Sequence, residues 1–283
     1  MRCLIAALLL LQIPICSVQA EDDLLDQDNL VAWCIVPFDA SKRGPEERAA
    51  MLKELGLKKC AYDWRAEHVP TFEAEILAYK KHGIDFFAFW SVHEEAFKLF
   101  EKHDLHPQIW IMIPGVKGPS QEEKVAQAVE ALKPLAERTK KMDCSMSLYN
   151  HGGWQGQPAN MVAVCEGLRQ AGYDHVGIVY NFHHGHEQID RWAENFKLMQ
   201  PYLHCLNING MNDNAQPKIL QLGQGQHELA MLKVVRDAGY DGPIGILDHQ
   251  GNRDSKEVLQ ENLDGVEKLR PQLEVSDGKK KLP

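Results

Sequence analysis

Past residue 20 the chain has no apolar run near the ~20 residues that cross a bilayer, which excludes a membrane-spanning helix from that stretch. Blocks of like charge are also missing. The formal net charge of -9 is spread along the sequence, which leaves no basic stripe for a phosphate backbone or an anionic lipid surface, so no nucleic-acid partner is expected. Cysteine is sparse, at seven residues in 283. Cys34, Cys60, Cys144, Cys165 and Cys205 lie beyond residue 20, an odd number set mostly inside apolar runs, so buried thiols are expected rather than a disulfide framework. Cys34 and Cys60 fall on neighbouring predicted strands, and a bridge between them in an oxidising compartment stays open. No low-complexity linker interrupts the chain, which points to one domain.

The first twenty residues read as a segment to be removed. Arg2 gives a basic start, an apolar run covers 3–15, and Ser17-Val18-Gln19-Ala20 offers small residues for cleavage. The expectation is a signal peptide over 1–20 and a periplasmic or secreted mature protein. A lipid-anchored form is disfavoured because Pro14-Ile15 precedes Cys16 where a small residue is wanted. The remaining chain has the length of one eightfold barrel, ~250 residues.

Eight strand-helix units can be counted along 21–273. Strands are expected at 30–38, 59–64, 84–91, 108–113, 144–149, 175–180, 202–208 and 243–247. Helices between them carry start and stop signals: Pro45 before a helix ending at Gly56, Phe72, Ile76 and Tyr79 at helical spacing before Gly83, and a Ser120/Glu123 capping box. Pro134 is expected to kink the long fourth helix, and the eighth helix should run over about 255–269. Residues 274–283, with Lys279-Lys280-Lys281, read as a disordered tail. Such alternation argues an α/β fold with a parallel sheet. An open doubly wound sheet competes, but eight units in one chain favour closure into a single (β/α)8 TIM barrel.

Closure would gather the ends of the strands over one mouth, where barrels of this kind carry their chemistry. Polar clusters fall at four of those ends: Asn150-His151, then Asn181 with His183, His184 and His186, then Asn207 and Asn209, then Asp248-His249. Imidazoles there can shuttle protons, bind metal or hold a loop. Buried amides need partners, which a hydroxylated ligand or a network among themselves would supply. Trp64 and Trp90, at strand ends, could stack on a sugar face, whereas Trp33 and Trp110 lie mid-strand and read as core. Asp39, Asp63, Glu67 and Asp248 are the acidic candidates. Two facing carboxylates would suit glycoside hydrolysis; a carboxylate with a histidine would suit moving a proton next to a carbonyl.

Leu148-Tyr149-Asn150-His151-Gly152-Gly153 resembles the strand-five motif of the xylose-isomerase-like superfamily of sugar isomerases and epimerases, and 176–184 resembles its strand-six motif. Leu222-Gly223-Gln224-Gly225 and Gly239-Tyr240-Asp241-Gly242 resemble its later loops. The resemblance implies a carbohydrate or related polyol as ligand; if the barrel is catalytic, His151, His184 and Asp248 are the residues expected to move protons. Asn150, Asn181, Asn207, Asp63 and His249 at the strand ends are expected to bind the ligand, and Trp64 and Trp90 to wall it. Members that bind a divalent ion supply Glu, Asp, His and Glu from strands five to eight. Here those positions read Tyr149, Asn181, Asn207 and Leu247 or Asp248, poor ligands for a hard cation. The usual divalent ion is therefore not expected, and no cofactor is assigned. A rearranged histidine-rich site using His184, His186 or Asp248, a non-catalytic sugar-binding descendant and a glycoside hydrolase remain open alternatives.

Overall fold

The structure is a computed structural model that describes residues 23–274. Eight parallel strands close into one barrel in chain order: β1 (Leu30–Trp33), β2 (Lys59–Asp63), β3 (Asp85–Trp90), β4 (Gln108–Met112), β5 (Met146–Tyr149), β6 (Val176–Asn181), β7 (Leu203–Ile208) and β8 (Ile244–Leu247). β1 pairs with β8, with Trp33 opposite Leu247, so the open doubly wound alternative is excluded. The crossover helices are α1 (Pro45–Glu54), α2 (Phe72–His82), α3 (Glu94–His103), α4 (Gln121–Lys141), α5 (Pro158–Gln170), α6 (Trp192–Met199), α7 (Glu228–Asp237) and α8 (Ser255–Glu274). The proposed signal peptide over 1–20 and the tail from 275 lie outside the described residues. Among those described, no helix is long and apolar enough to cross a membrane.

Local signals set the helix ends. Pro45 opens α1. Gly83, at φ 72°, closes α2 in the left-handed region that glycine enters at little cost. Ser120 and Glu123 form the capping box of α4. That helix runs unbroken through Pro134 from Gln121 to Lys141. α8 continues past 269, so Glu274 belongs to a helix and not to the tail. β1 is shorter than expected. Cys34 takes φ 62°, which turns the chain out of the extended region immediately after Trp33.

Alternation along each strand sorts side chains into two layers. Leu30, Tyr62, Phe89, Leu148, Ile178 and Ile246 face the helices. Trp33, Ala61, Trp110, Tyr149, Val179 and Leu247 face the axis and fill it. Trp33 and Trp110 meet edge to face, with ring centroids 4.8 Å apart, and both are core, although Trp33 ends β1 and only Trp110 stands mid-strand. The floor is polar: His204 Nδ1 lies 2.9 Å from Ser147 Oγ, in space that opposing Gly177 leaves open. All five cysteines in the described residues are free. Cys60 packs in the outer layer, its thiol 3.2 Å from the Tyr79 hydroxyl, whereas Cys34 lies in the inner layer. They face opposite sides of the sheet.

Candidate active site

The three expected amides meet at the ends of β5, β6 and β7, and they bind one another. Asn150 Oδ1 accepts from the Asn181 backbone N–H at 2.7 Å and from Asn181 Nδ2 at 3.1 Å, while Asn150 Nδ2 donates to the Asn181 carbonyl at 3.0 Å. Asn207 Nδ2 donates to Asn181 Oδ1 at 2.7 Å, and the Cys205 thiol points at Asn207 Oδ1. All three are at most 1% exposed. Gly245, paired with Asn207 across β8, makes this possible: a Cβ there would overlap Asn207 Oδ1. Each side-chain polar atom of these amides has a partner inside the wall, the self-contained option for buried polar groups.

Above this tie lies a layer of rings. Trp90 tilts onto Tyr149 at 4.4 Å. Tyr149 meets the His184 ring edge-on at 5.7 Å. His184 is 4.5 Å from His151 and 3.8 Å from His183, and His183 is 5.4 Å from His249. Phe38 stacks on His249 at 4.0 Å and closes the arc. His151 is exposed, His184 and His249 half-buried, and His183 buried at 2%. Among the described residues, neither ring nitrogen of His183, nor Nδ1 of His249, has a hydrogen-bond partner. Burial, with His151 and Lys218 adding to it, holds His184 down to about 3. Burial, then Lys218 and Arg65, holds His249 down to about 4. Burial and the neighbouring rings hold His183 well below the ordinary imidazole range. At neutral pH these three rings are uncharged, each with one donor and one acceptor nitrogen.

Two carboxyl groups at the strand ends are buried. Asp63 faces inward, 1% exposed, and accepts from the Val36 backbone N–H at 3.4 Å. Burial pushes it up to about 7. Asp248, fully buried, accepts from Ser255 Oγ and from the Gln250 N–H. Burial raises it too, to about 7. The alternation that turns Asp63 inward sends Trp64 outward, where it packs edge to face on Phe72 at 5.7 Å and on His93 at 4.8 Å. Trp90 therefore stands at the mouth and Trp64 behind the wall. Glu67 lines a separate rim cleft of about 530 Å³, with Lys42 and Arg48. His186 directs its ring nitrogens at the Asn212 and Lys218 carbonyls, 2.9 and 3.0 Å away.

The rim also holds Asp39, one of the acidic candidates, and Glu228, Phe38 and Ser255, which were not singled out from the sequence. Asp39 binds Arg43 at 2.9 Å and accepts from the Ser255 N–H, tying the loop after β1 to α8. Buried Glu228 accepts from the Gly225 and Met211 N–H groups and fastens the loop after β7. Phe38 and Ser255 carry no local signature of their roles.

The sequence model of the xylose isomerase-like TIM barrel family matches residues 37–269. The chain belongs to this family. No curated protein matches the chain in sequence. Among solved structures, the apo form of 3-keto-D-glucoside 4-epimerase YcjR from E. coli is 15% identical with a TM-score of 0.62, over 86% of this chain and 99% of that one. The IOLI protein with a binding zinc atom is 12% identical with a TM-score of 0.66, over 87% and 99%. A D-psicose 3-epimerase in the presence of D-fructose is 14% identical with a TM-score of 0.61, over 85% and 96%. At these identities the likeness speaks for the fold.

The resemblance to metal-binding members implied ligands at four strand-end positions. Tyr149, Asn181 and Asn207 occupy three. At the fourth, Leu247 faces the axis, while Asp248 turns to Ser255. A phenol raised far above its ordinary range by burial, two mutually bonded amides and an aliphatic side chain do not fit a hard divalent cation. Among the described residues, no group of three His, Cys, Asp or Glu side chains converges to hold a metal ion. With both nitrogens of His186 facing carbonyls, the rearranged histidine set loses that member as well.

Proposed function

We propose that this barrel binds a sugar or related polyol at its strand-end cup and, as an isomerase or epimerase, moves a proton beside a sugar carbonyl without a carboxylate-held divalent ion. The observation that carries this reading is the set of unpartnered imidazole nitrogens, both on His183 and one on His249, at a depth where unmet polar atoms are costly. A neutral imidazole offers the donor and acceptor that match a sugar hydroxyl. Trp90 and Phe38 supply flat apolar faces for the ring. The family match and the fold shared with sugar epimerases support the same ligand class.

His184, held uncharged, donates to the carbonyl oxygen and steadies the negative charge that develops there. His151, exposed 4.5 Å away, takes the proton from the neighbouring carbon and exchanges it with solvent. The proton then returns to carbon as the enolate collapses. Asp248 acts as a positioning residue through Ser255 and the turn after β8, and Asp63 lies beneath the cup. Export through the segment 1–20 belongs to this reading; N-terminal sequencing of protein from the exported fraction should begin after Ala20.

Isothermal titration with neutral aldoses and ketoses, before and after a chelator, should give binding that the chelator leaves unchanged and that His183→Ala removes. Proton NMR in D2O should show exchange of the hydrogen next to the carbonyl, lost in His151→Ala. Binding without exchange would reduce the protein to a sugar-binding module, and no binding at all would overturn the proposal.

A further inference from the structure

Beyond β7 the chain doubles back on itself. Gly210 pairs antiparallel with Leu220, its N–H donating to the Leu220 carbonyl at 2.9 Å. The two segments press closely there, since a Cβ on Gly210 would strike the Gln221 carbonyl and the Leu220 side chain. In an antiparallel register the neighbours of a bridged pair stand opposite one another, so Asn209 faces Gln221, with both side chains on one face and their Cβ atoms about 5 Å apart. Asn209 is fully buried and Gln221 is 5% exposed, yet they do not bind each other. Asn209 Nδ2 donates to the Gly210 carbonyl at 2.8 Å, which fixes the orientation of that amide and turns Oδ1 away. Among the described residues, Asn209 Oδ1 has no donor and Gln221 Nε2 no acceptor. A lone acceptor and a lone donor thus stand side by side where each unmet atom is costly.

The pair belongs to the sector of the cup that holds the unmatched imidazoles. β7 lies between β6 and β8, and the rings of His183 and His249, from the ends of those two strands, approach to 5.4 Å. Asn209 follows Cys205 and Asn207 at strand period, on the face that turns Cys205 to the axis. Ile219, two residues before Gln221, packs against the same axial layer. Both segments are anchored from behind: Glu228 accepts from the Met211 N–H and Asn262 Oδ1 from the Leu222 N–H, each at 3.0 Å. Gln221, with three side-chain torsions, can give way to admit a group, whereas Asn209 is held by Gly210.

We infer that Asn209 and Gln221 read one hydroxyl of the bound sugar, which donates to Asn209 Oδ1 and accepts from Gln221 Nε2 while neighbouring hydroxyls reach His183 and His249. This rests on the carbohydrate reading above and deepens it, because the pair becomes a determinant of specificity. Only a group that both donates and accepts meets the two atoms; a carboxylate only accepts and an ammonium only donates. A site built to bond a hydroxyl rejects the analogue that lacks it, since its own buried polar atoms are then left unmet.

The test is isothermal titration of the full chain, and of Asn209→Leu and Gln221→Met, with D-glucose, D-galactose, D-xylose and D-fructose, followed by the monodeoxy forms of whichever sugar binds most tightly. In the wild type one monodeoxy sugar should bind at least about thirtyfold more weakly than its parent. In either variant that ratio should fall to within about threefold, while the ratios at the other positions persist. Melting curves separate this from a structural role. Gln221→Met takes away no bond, so its melting temperature should match or exceed that of the wild type, and it carries the test alone if Asn209→Leu, which loses the bond to Gly210, fails to fold. A lowered melting temperature in Gln221→Met with unchanged deoxy ratios would assign the pair to a buried water and overturn the inference. Ratios that fall alike at every position, or no monodeoxy sugar weakened by that factor in the wild type, overturn it too and leave the carbohydrate reading standing. No binding of any sugar removes both.

Discussion

The amides of β5 to β7 and the imidazoles just above them stand one layer apart on the same strand ends, yet they behave oppositely. Asn150, Asn181 and Asn207 meet one another's hydrogen-bonding needs, whereas His183 and His249 leave three ring nitrogens without a partner. The first layer is wall, and the second is the surface to which the proposed function assigns the ligand. Polarity and position do not distinguish them, and an account of where each donor and acceptor goes does.

The sharpest way to break this contrast is at Asn181. Asn181→Leu would strand Asn207 Nδ2 and part of Asn150 Oδ1 in a closed space, at a cost of about 3 kcal/mol by urea unfolding. Gly245→Ala should act in the same direction, because its Cβ displaces the Asn207 amide. A loss under about 0.5 kcal/mol in both variants would mean that the amides are not a structural tie.

The pH response sharpens the comparison from the charged side. Asp248 is raised to about 7 by burial, above its unfolded value of about 3.9. The stability it contributes is present below about 4 and is lost as pH rises through 7. Relative to the wild type, Asp248→Asn should therefore be more favourable at pH 8 than at pH 4 in paired urea titrations. A difference that does not change with pH would contradict the burial assigned to this carboxyl.

The ring layer runs the other way. His184 falls to about 3, below its unfolded value of about 6.5, so the unfolded chain takes up protons first and stability declines as pH drops below about 6.5. His184→Gln should flatten that decline, read from melting temperatures between pH 4 and 7. The smallest stability effect is expected at His183. Replacing a buried ring that has no partner with Phe should leave stability within about 1 kcal/mol of the wild type, or raise it, while abolishing sugar binding. If His183→Phe destabilises as much as Asn181→Leu, the distinction between wall and ligand surface fails.

The barrel was legible in the sequence because each strand is an apolar run bounded by Gly, Pro or a capping residue, and eight such runs alternate with helical patterns. The end of β1 was not, since the left-handed turn at Cys34 has no glycine to announce it. Trp64 shows a second limit: period-two alternation was enough to place it behind the wall once the inward facing of Asp63 was known, but a strand's phase is set by tertiary packing. The amide tie needed contacts across 26 and 31 residues of sequence, and nothing local tells an asparagine that binds a ligand from one that binds its neighbour. The loss of carboxylates at the metal positions, in contrast, was readable residue by residue once the resemblance was drawn.

The aromatic filling of the axis has a practical outcome. Trp33 and Trp110 are almost sealed from solvent, whereas Trp90 is partly open at the lip against Tyr149. Indole emission shifts with its surroundings, and Trp64 and Trp154 are partly open too, so blue-edge fluorescence should track integrity of the barrel while the red-edge signal that Trp90→Phe removes reports on the lip. The chain thus carries its own two-colour gauge, with no dye attached.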